Sequence, residues 1–97
     1  MSNLEPDKII SQLQPTSTCA LDKVELERRL EMAHLEFDYC EKKLRDVSAE
    51  GSLSDNVDWL FSKMENVIRS SLAFQQRGAA YGFTLRYIAA RQQYAIH

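Results

Sequence analysis

The feature that most constrains this chain is a run of apolar and small side chains that recur at alternating intervals of four and three residues. Because an α-helix makes one turn in about 3.6 residues, this spacing puts them all on one side of a helix, a pattern typical of helices that pack together. It predicts a long helix over residues 20–49 whose seam needs a partner helix. The seam residues are Leu26, Leu30, Ala33, Phe37, Cys40, Leu44 and Val47.

The start of this helix carries two competing signals. Ser17 or Thr18 offers a hydroxyl that can cap the first turn, whereas Asp22 and Glu25 have the spacing of a capping box. The two signals place the first helical residue between positions 18 and 23.

A second apolar pattern follows a short polar segment and predicts another helix over residues 55–77. Gly51 can end the first helix, which leaves a turn at 50–54. A connection this short makes the two helices antiparallel neighbours, so we expect a coiled-coil-like helical hairpin. The second pattern contains Val57, Leu60, Met64, Val67, Ser71 and Phe74.

The tail is predicted to be helical over residues 79–95, either continuous with the second helix, kinked, or separate from it. Gly78 and Gly82 lie four residues apart beside two alanines. Either another backbone packs closely against these glycines or the helix bends or breaks there, since each glycine costs a helix about 1 kcal/mol.

Residues 1–18 are predicted to form an N-terminal arm, separate from a hairpin domain at 19–97. Pro6 can occupy the first turn of a short helix that Pro15 ends. Such a helix is too short to be stable alone, so it docks on the main helices or waits for a partner. We therefore expect one all-α domain that forms part of a helical bundle. The apolar side chains of the arm are Ile9, Ile10 and Leu13.

Charge is divided unevenly along the chain. The net charge is −2, yet all fourteen acidic residues lie before position 66, and four arginines lie after it. We expect the acidic and basic halves to attract each other across the rims of neighbouring helices.

The composition predicts a cytoplasmic protein. Cys19 and Cys40 are 21 residues apart, about 30 Å along a helix, so they are too distant to form a disulfide and suit a reducing compartment. The chain also has no signal-peptide pattern and no apolar run of the ~18–20 residues that span a bilayer.

A second apolar stripe on the first helix predicts a binding role. Met32, Leu35 and Tyr39 lie on the side away from the seam, where a two-helix hairpin leaves them in water. The arm, a second copy or another protein could cover them. We therefore expect a non-catalytic interaction subunit: an adaptor, a chaperone-like partner or an inhibitor. Further partner-binding candidates on the second helix are Trp59, Phe61 and Ile68.

The sequence contains no pattern that predicts catalysis or a cofactor. His34 has Glu31 and Asp38 at helical spacing, but a metal site normally needs a third committed ligand, and a histidine paired with a carboxylate is the better interpretation. No nucleophile stands beside a base, and no glycine-rich phosphate loop is present. We expect no enzyme, no cofactor, no metal and no small-molecule substrate.

Nucleic-acid binding is the alternative function. Arginines alternate with aromatic side chains in the tail, a combination that can hold phosphates and stack bases. On one unbroken helix, Arg69, Arg77 and Arg91 would share one side and could contact an anionic partner. The acidic net charge favours a protein partner over a nucleic acid.

Overall fold

The computed structural model describes residues 4–49 and 54–94, with all their side chains except those of 54–56. Within these ranges the chain forms four α-helices and no β-strand. The predicted all-α class is therefore confirmed, whereas most of the predicted turn at 50–54, including Gly51, lies outside the described residues. The helices are α1 (Pro6–Gln12), α2 (Lys23–Ala49), α3 (Ser54–Ala73) and α4 (Arg77–Tyr94).

α2 begins directly after Asp22, which caps it. The backbone N–H of Glu25 donates a hydrogen bond to Oδ1 of Asp22 at 2.9 Å, which satisfies one of the unpaired donors at the helix N-terminus. The Glu25 carboxylate instead accepts a hydrogen bond from Arg29, also at 2.9 Å. Of the two competing signals, Asp22 starts the helix, because Ser17 and Thr18 precede its first turn by several residues.

α2, α3 and α4 pack side by side. Gln76, just after α3, donates a hydrogen bond from its side chain to the carbonyl oxygen of Leu26 at 2.9 Å, so α3 ends where α2 starts and the two are antiparallel. α4 also starts near the beginning of α2 and runs alongside it. The rings of Phe37 on α2 and Phe83 on α4 lie 4.9 Å apart. α4 therefore contacts both α2 and α3, and the predicted helix pair is one part of a three-helix arrangement.

The hydrophobic core lies between these helices. Its largest fully buried apolar side chains include Phe37 from α2, Met64 and Ile68 from α3, and Phe83 from α4. None of the seven seam residues is exposed, and Phe37, Cys40 and Leu44 have no exposed surface. The seam of α2 therefore faces a core that two other helices share.

α1 docks on α4. Ile9 of α1 and Leu13, which directly follows it, are buried in the core, and Ile10 packs against the core. The segment that follows is tied down where the backbone N–H of Cys19 donates to the carbonyl oxygen of Ala73 at 2.8 Å. Of the two alternatives for the arm, the structure shows docking.

The chain reverses at residues 74–76, between α3 and α4. Gln75 has a positive φ of 61°, which is the left-handed conformation that ends many helices. The backbone N–H of Gln76 donates to Ser71 at 2.8 Å, and that of Gln75 donates to Leu72 at 3.0 Å. This pair of hydrogen bonds is a Schellman motif, and it satisfies two carbonyl groups at the end of α3.

The glycines of the tail do not end a helix. Gly78 and Gly82 both lie inside α4, and a Cβ atom built on either one would meet nothing within 4 Å. Of the three alternatives for the tail, the structure shows a separate helix, but neither close backbone packing nor a break occurs at these two glycines. The break falls earlier, at Gln75, because the hydrogen bonds that end α3 form there.

We expect Gln75→Gly to raise the free energy of unfolding by about 1 kcal/mol. A residue with a Cβ is strained at positive φ, and glycine is not. Urea denaturation monitored by circular dichroism measures the change. Gln75→Ala is the matched control, because it keeps a Cβ and should show no such gain; equal effects of the two variants would contradict the prediction.

We also expect Gly82→Ala to raise the free energy of unfolding by about 0.5–1 kcal/mol. Alanine has the higher helix propensity, and its methyl group has room at this position. The same urea titration measures this gain in the free energy of unfolding. The reverse change at an exposed site of α4, Ala89→Gly, is the control and should lower the free energy of unfolding by a similar amount. A loss of stability in Gly82→Ala would show that another backbone does approach this position.

Candidate protein-binding face

The second stripe of α2 is open to solvent. The exposed fractions of Met32, Leu35 and Tyr39 are 56%, 65% and 48%. The N-terminal arm does not cover them, because α1 lies against α4. Of the three candidates that could cover this stripe, a second copy of the chain and another protein remain.

α3 adds an aromatic side chain to the same surface. Trp59 is 56% exposed, and with Tyr39 and Lys43 it lines a shallow depression between α2 and α3. The Nζ atom of Lys63 lies 4.7 Å from the centre of the Trp59 ring system, within the range of a cation–π contact. We call this surface the α2/α3 face and define it by Met32, Leu35, Tyr39 and Trp59.

A cavity of about 180 Å³ opens between α2 and α3 next to Met32. Its lining is mostly apolar or neutral, but it includes Ser71, which is 2% exposed. The Oγ atom of Ser71 is buried and has no hydrogen-bond partner within the described part of the chain. Such a group is costly to bury, and because Oγ itself has less than 1 Å² of accessible surface, a molecule in the cavity does not reach it. Other lining residues are Ala33, Asn66, Val67, Ser70, Phe74 and Gln76, together with the charged Arg29 and Glu36.

Two of the predicted partner-binding residues belong to the core instead. Phe61 is 4% exposed and Ile68 has no exposed surface. Phe61 makes an edge contact with Tyr87 of α4, with ring centres 6.0 Å apart. The broad apolar side of α3 is therefore covered by α4, which corrects the expectation that both residues are available to a partner.

The three arginines proposed to contact an anionic partner do not share one helix side. Because the chain reverses at 74–76, Arg69 lies on α3, whereas Arg77 and Arg91 lie fourteen residues apart on α4, about 21 Å along its axis. The Arg91 guanidinium lies 5.1 Å from the centre of the Phe61 ring and donates to the Tyr87 hydroxyl at 3.0 Å. The predicted cluster depended on an unbroken helix, and the break between α3 and α4 removes that basis.

Arg86 makes the main charged contact between α2 and α4. Its guanidinium donates hydrogen bonds to both carboxylate oxygens of Glu41, one of them at 3.0 Å, and to Asp38 at 2.5 Å. It also stacks on Phe37, 4.8 Å from the ring centre. The hydrogen bond to Glu41 is the main cause that raises the pKa of Arg86 above its usual value. Sequence reasoning predicted attraction between the two halves but did not single out this residue.

Tyr87 links α4 to α3 through a buried hydroxyl. It donates a hydrogen bond to Glu65 of α3 and accepts one from Arg91. Burial of the hydroxyl, followed by its contact with Glu65, raises the pKa of Tyr87 to about 12. This chain of contacts joins α4 to α3.

The structure brings no metal-binding group together in the residues that it describes. There, no three or more His, Cys, Asp and Glu side chains are placed to hold an ion. The ring of His34 lies 4.8 Å from that of Phe83, and Asp38 is bound by Arg86. Cys19 is exposed and Cys40 is buried, and burial raises the pKa of the Cys40 thiol.

Comparison with known proteins adds no relative. No protein-family model matches the chain, and neither the curated proteins nor the solved structures contain a significant match. Among the described residues, no helix is long and apolar enough to cross a membrane.

We expect a tyrosine ionisation with a pKa of about 12, measured by absorbance near 295 nm during alkaline titration. Unfolded tyrosine loses its proton near pH 10, whereas folded Tyr87 keeps it until about pH 12. Stability that is present below pH 10 is therefore lost as the pH rises through 12, by at most about 3 kcal/mol. Tyr87→Phe should remove this step and Tyr81→Phe, on an exposed residue, should not; a late step that survives in Tyr87→Phe would contradict the assignment.

Proposed function

We propose that this protein is a non-catalytic interaction subunit that binds another protein through its α2/α3 face. The observation that carries the proposal is that four large apolar side chains lie together on two adjacent helices while the core is complete without them. Burial of apolar surface contributes about 25 cal/mol for each Å², so covering this face would favour association. The fold positions the face but does not need it for its own packing.

The composition of the face also suits a protein partner. Tyr and Trp are enriched among the residues that dominate binding energies, because they bury a large area at a small entropic cost. Lys43 and Lys63 lie over Tyr39 and Trp59 and would form a charged rim around them. Such a rim selects partners and their orientation more than it adds affinity. Adaptor, chaperone-like partner and inhibitor are the roles that this mode of binding would serve.

Nucleic-acid binding has less support. Of the four arginines after position 66, Arg86 contacts Glu41 and Arg91 contacts Tyr87 within the fold. They are therefore less available to phosphates, and the proposal rests on the apolar face alone.

A photo-crosslinking amino acid placed at Leu35 tests the proposal. In an extract of the cells that make the protein, illumination should give a discrete adduct, and the mass of the adduct should identify the partner chain. The same group at Gln92, which is exposed on α4, is the matched control and should give none. The proposal fails if neither position gives an adduct or if both give the same products.

A companion variant separates binding from folding. Leu35→Glu, made in a chain that carries the crosslinker at Tyr39, should reduce the adduct at least about tenfold, because a charge would be buried at the interface. Leu35 is exposed, so the substitution should change the free energy of unfolding by less than about 0.5 kcal/mol. An undiminished adduct would place the contact elsewhere.

A further inference from the structure

The connection between α3 and α4 is short and strained. It consists of residues 74–76, which we call the hinge, and Gln75 holds a φ of 61° although it is not a glycine. A residue with a Cβ is disfavoured in this left-handed conformation. A short connection under strain favours domain swapping, in which two copies of a chain exchange the same element.

The residues at the hinge are able to continue a helix. Residues 73–77 read Ala-Phe-Gln-Gln-Arg and include neither glycine nor proline. Alanine, glutamine and arginine have high helix propensities. If the hinge straightened, α3 and α4 would form one helix over residues 54–94, about 60 Å long. Ordinary helical hydrogen bonds would then replace the Schellman pair, and the side-chain bond from Gln76 to Leu26 would be given up.

α4 is bound to the rest of the fold by contacts that do not require it to belong to the same chain. Arg86 binds Glu41 of α2, and Tyr87 donates a hydrogen bond to Glu65 of α3. α1 also docks on α4. Each of these contacts joins α4 to a helix that precedes the hinge, so α4 of a second copy can make them equally well.

We propose that this chain exchanges α4 with a second copy of itself and forms a domain-swapped dimer. The hinge straightens in each copy, and α4 of each copy packs against α2 and α3 of the other. The two fused helices lie side by side and antiparallel, because α4 is antiparallel to α3 in the monomer. Both copies exchange the same element, so the assembly closes as a two-fold dimer. The exchange does not depend on the proposed function.

The exchange would also give one assembly two α2/α3 faces. Met32 and Trp59 lie on helices that precede the hinge, so each half of the dimer keeps one complete face. A partner with two matching sites would bind such a dimer more tightly than the monomer, because its second contact is made within the same complex. This consequence, unlike the exchange itself, rests on the proposed function.

Variants of the hinge test the proposal on the full chain. The protein is unfolded in urea and refolded at about 1 mM, and its mass is measured by analytical ultracentrifugation. The wild type should contain a species of twice 11.2 kDa. Gln75→Gly should lower the association constant at least about a hundredfold, because glycine relieves the strain in the monomer and disfavours the fused helix. Gln75→Ala is the matched control, and it should retain the dimer because it keeps a Cβ and favours a helix.

Two charge-reversed chains test whether the dimer is swapped. Arg86→Glu brings like charges together between α4 and α2 of one chain, and Glu41→Arg does the same in another. When the two variants are refolded together, opposite charges meet at both sites only if each α4 packs against the other chain. The mixture should therefore form a heterodimer, whereas neither variant should dimerise alone. A single chain with both substitutions restores the ion pair internally, and its circular dichroism should match that of the wild type.

Three results would overturn the inference. They are a wild type that is wholly monomeric after refolding at 1 mM, a Gln75→Gly variant that dimerises as well as the wild type, and a charge-reversed mixture without heterodimer. If the doubly substituted chain does not fold, the hinge variants decide alone. Leu35→Glu, on the α2/α3 face, should leave the dimer unchanged. Loss of the dimer in that variant would place the contact on the face and refute the exchange of α4.

Discussion

The left-handed conformation of Gln75 is the constraint on which the rest of the structure depends. It ends α3 with two hydrogen bonds and turns the chain back within three residues, so that α4 packs against both α2 and α3. The broad apolar side of α3, with Phe61 and Ile68, becomes core as a result. The opposite side of the α2–α3 pair receives no helix from the described part of the chain, and this geometry creates the α2/α3 face.

Electrostatic contacts hold α4 in register along its two neighbours. Arg86 binds Glu41 and Asp38 on α2, and Tyr87 binds Glu65 on α3. Charge-assisted hydrogen bonds of this kind depend on distance and direction, whereas apolar packing alone would tolerate a shift along the helix. Arg86 and Tyr87 therefore serve the fold.

The α2/α3 face combines features that the fold itself does not use. Its apolar side chains remain exposed while the core is filled, and the Ser71 hydroxyl lies unpaired beside a cavity. Both features cost free energy in the isolated chain, because exposed apolar surface and unpaired buried polar groups are unfavourable. A partner that covers the face would remove its apolar surface from water, which gives the proposed function its physical basis.

The sequence by itself determined the helical class, the seam from Leu26 to Val47 and the exposed stripe of α2, because these depend on local periodicity. The sequence also predicts Asp22 as one possible cap of α2, but it does not distinguish this cap from the hydroxyls of Ser17 and Thr18. Only the tertiary structure decided that Phe61 and Ile68 are buried, that Arg69 lies on a different helix from Arg77 and Arg91, and that Ser71 lies beside a cavity. The physical reason is that a glutamine at positive φ leaves no signature in the sequence. The glycines that usually mark such a turn lie inside α4, where they have no structural role of that kind.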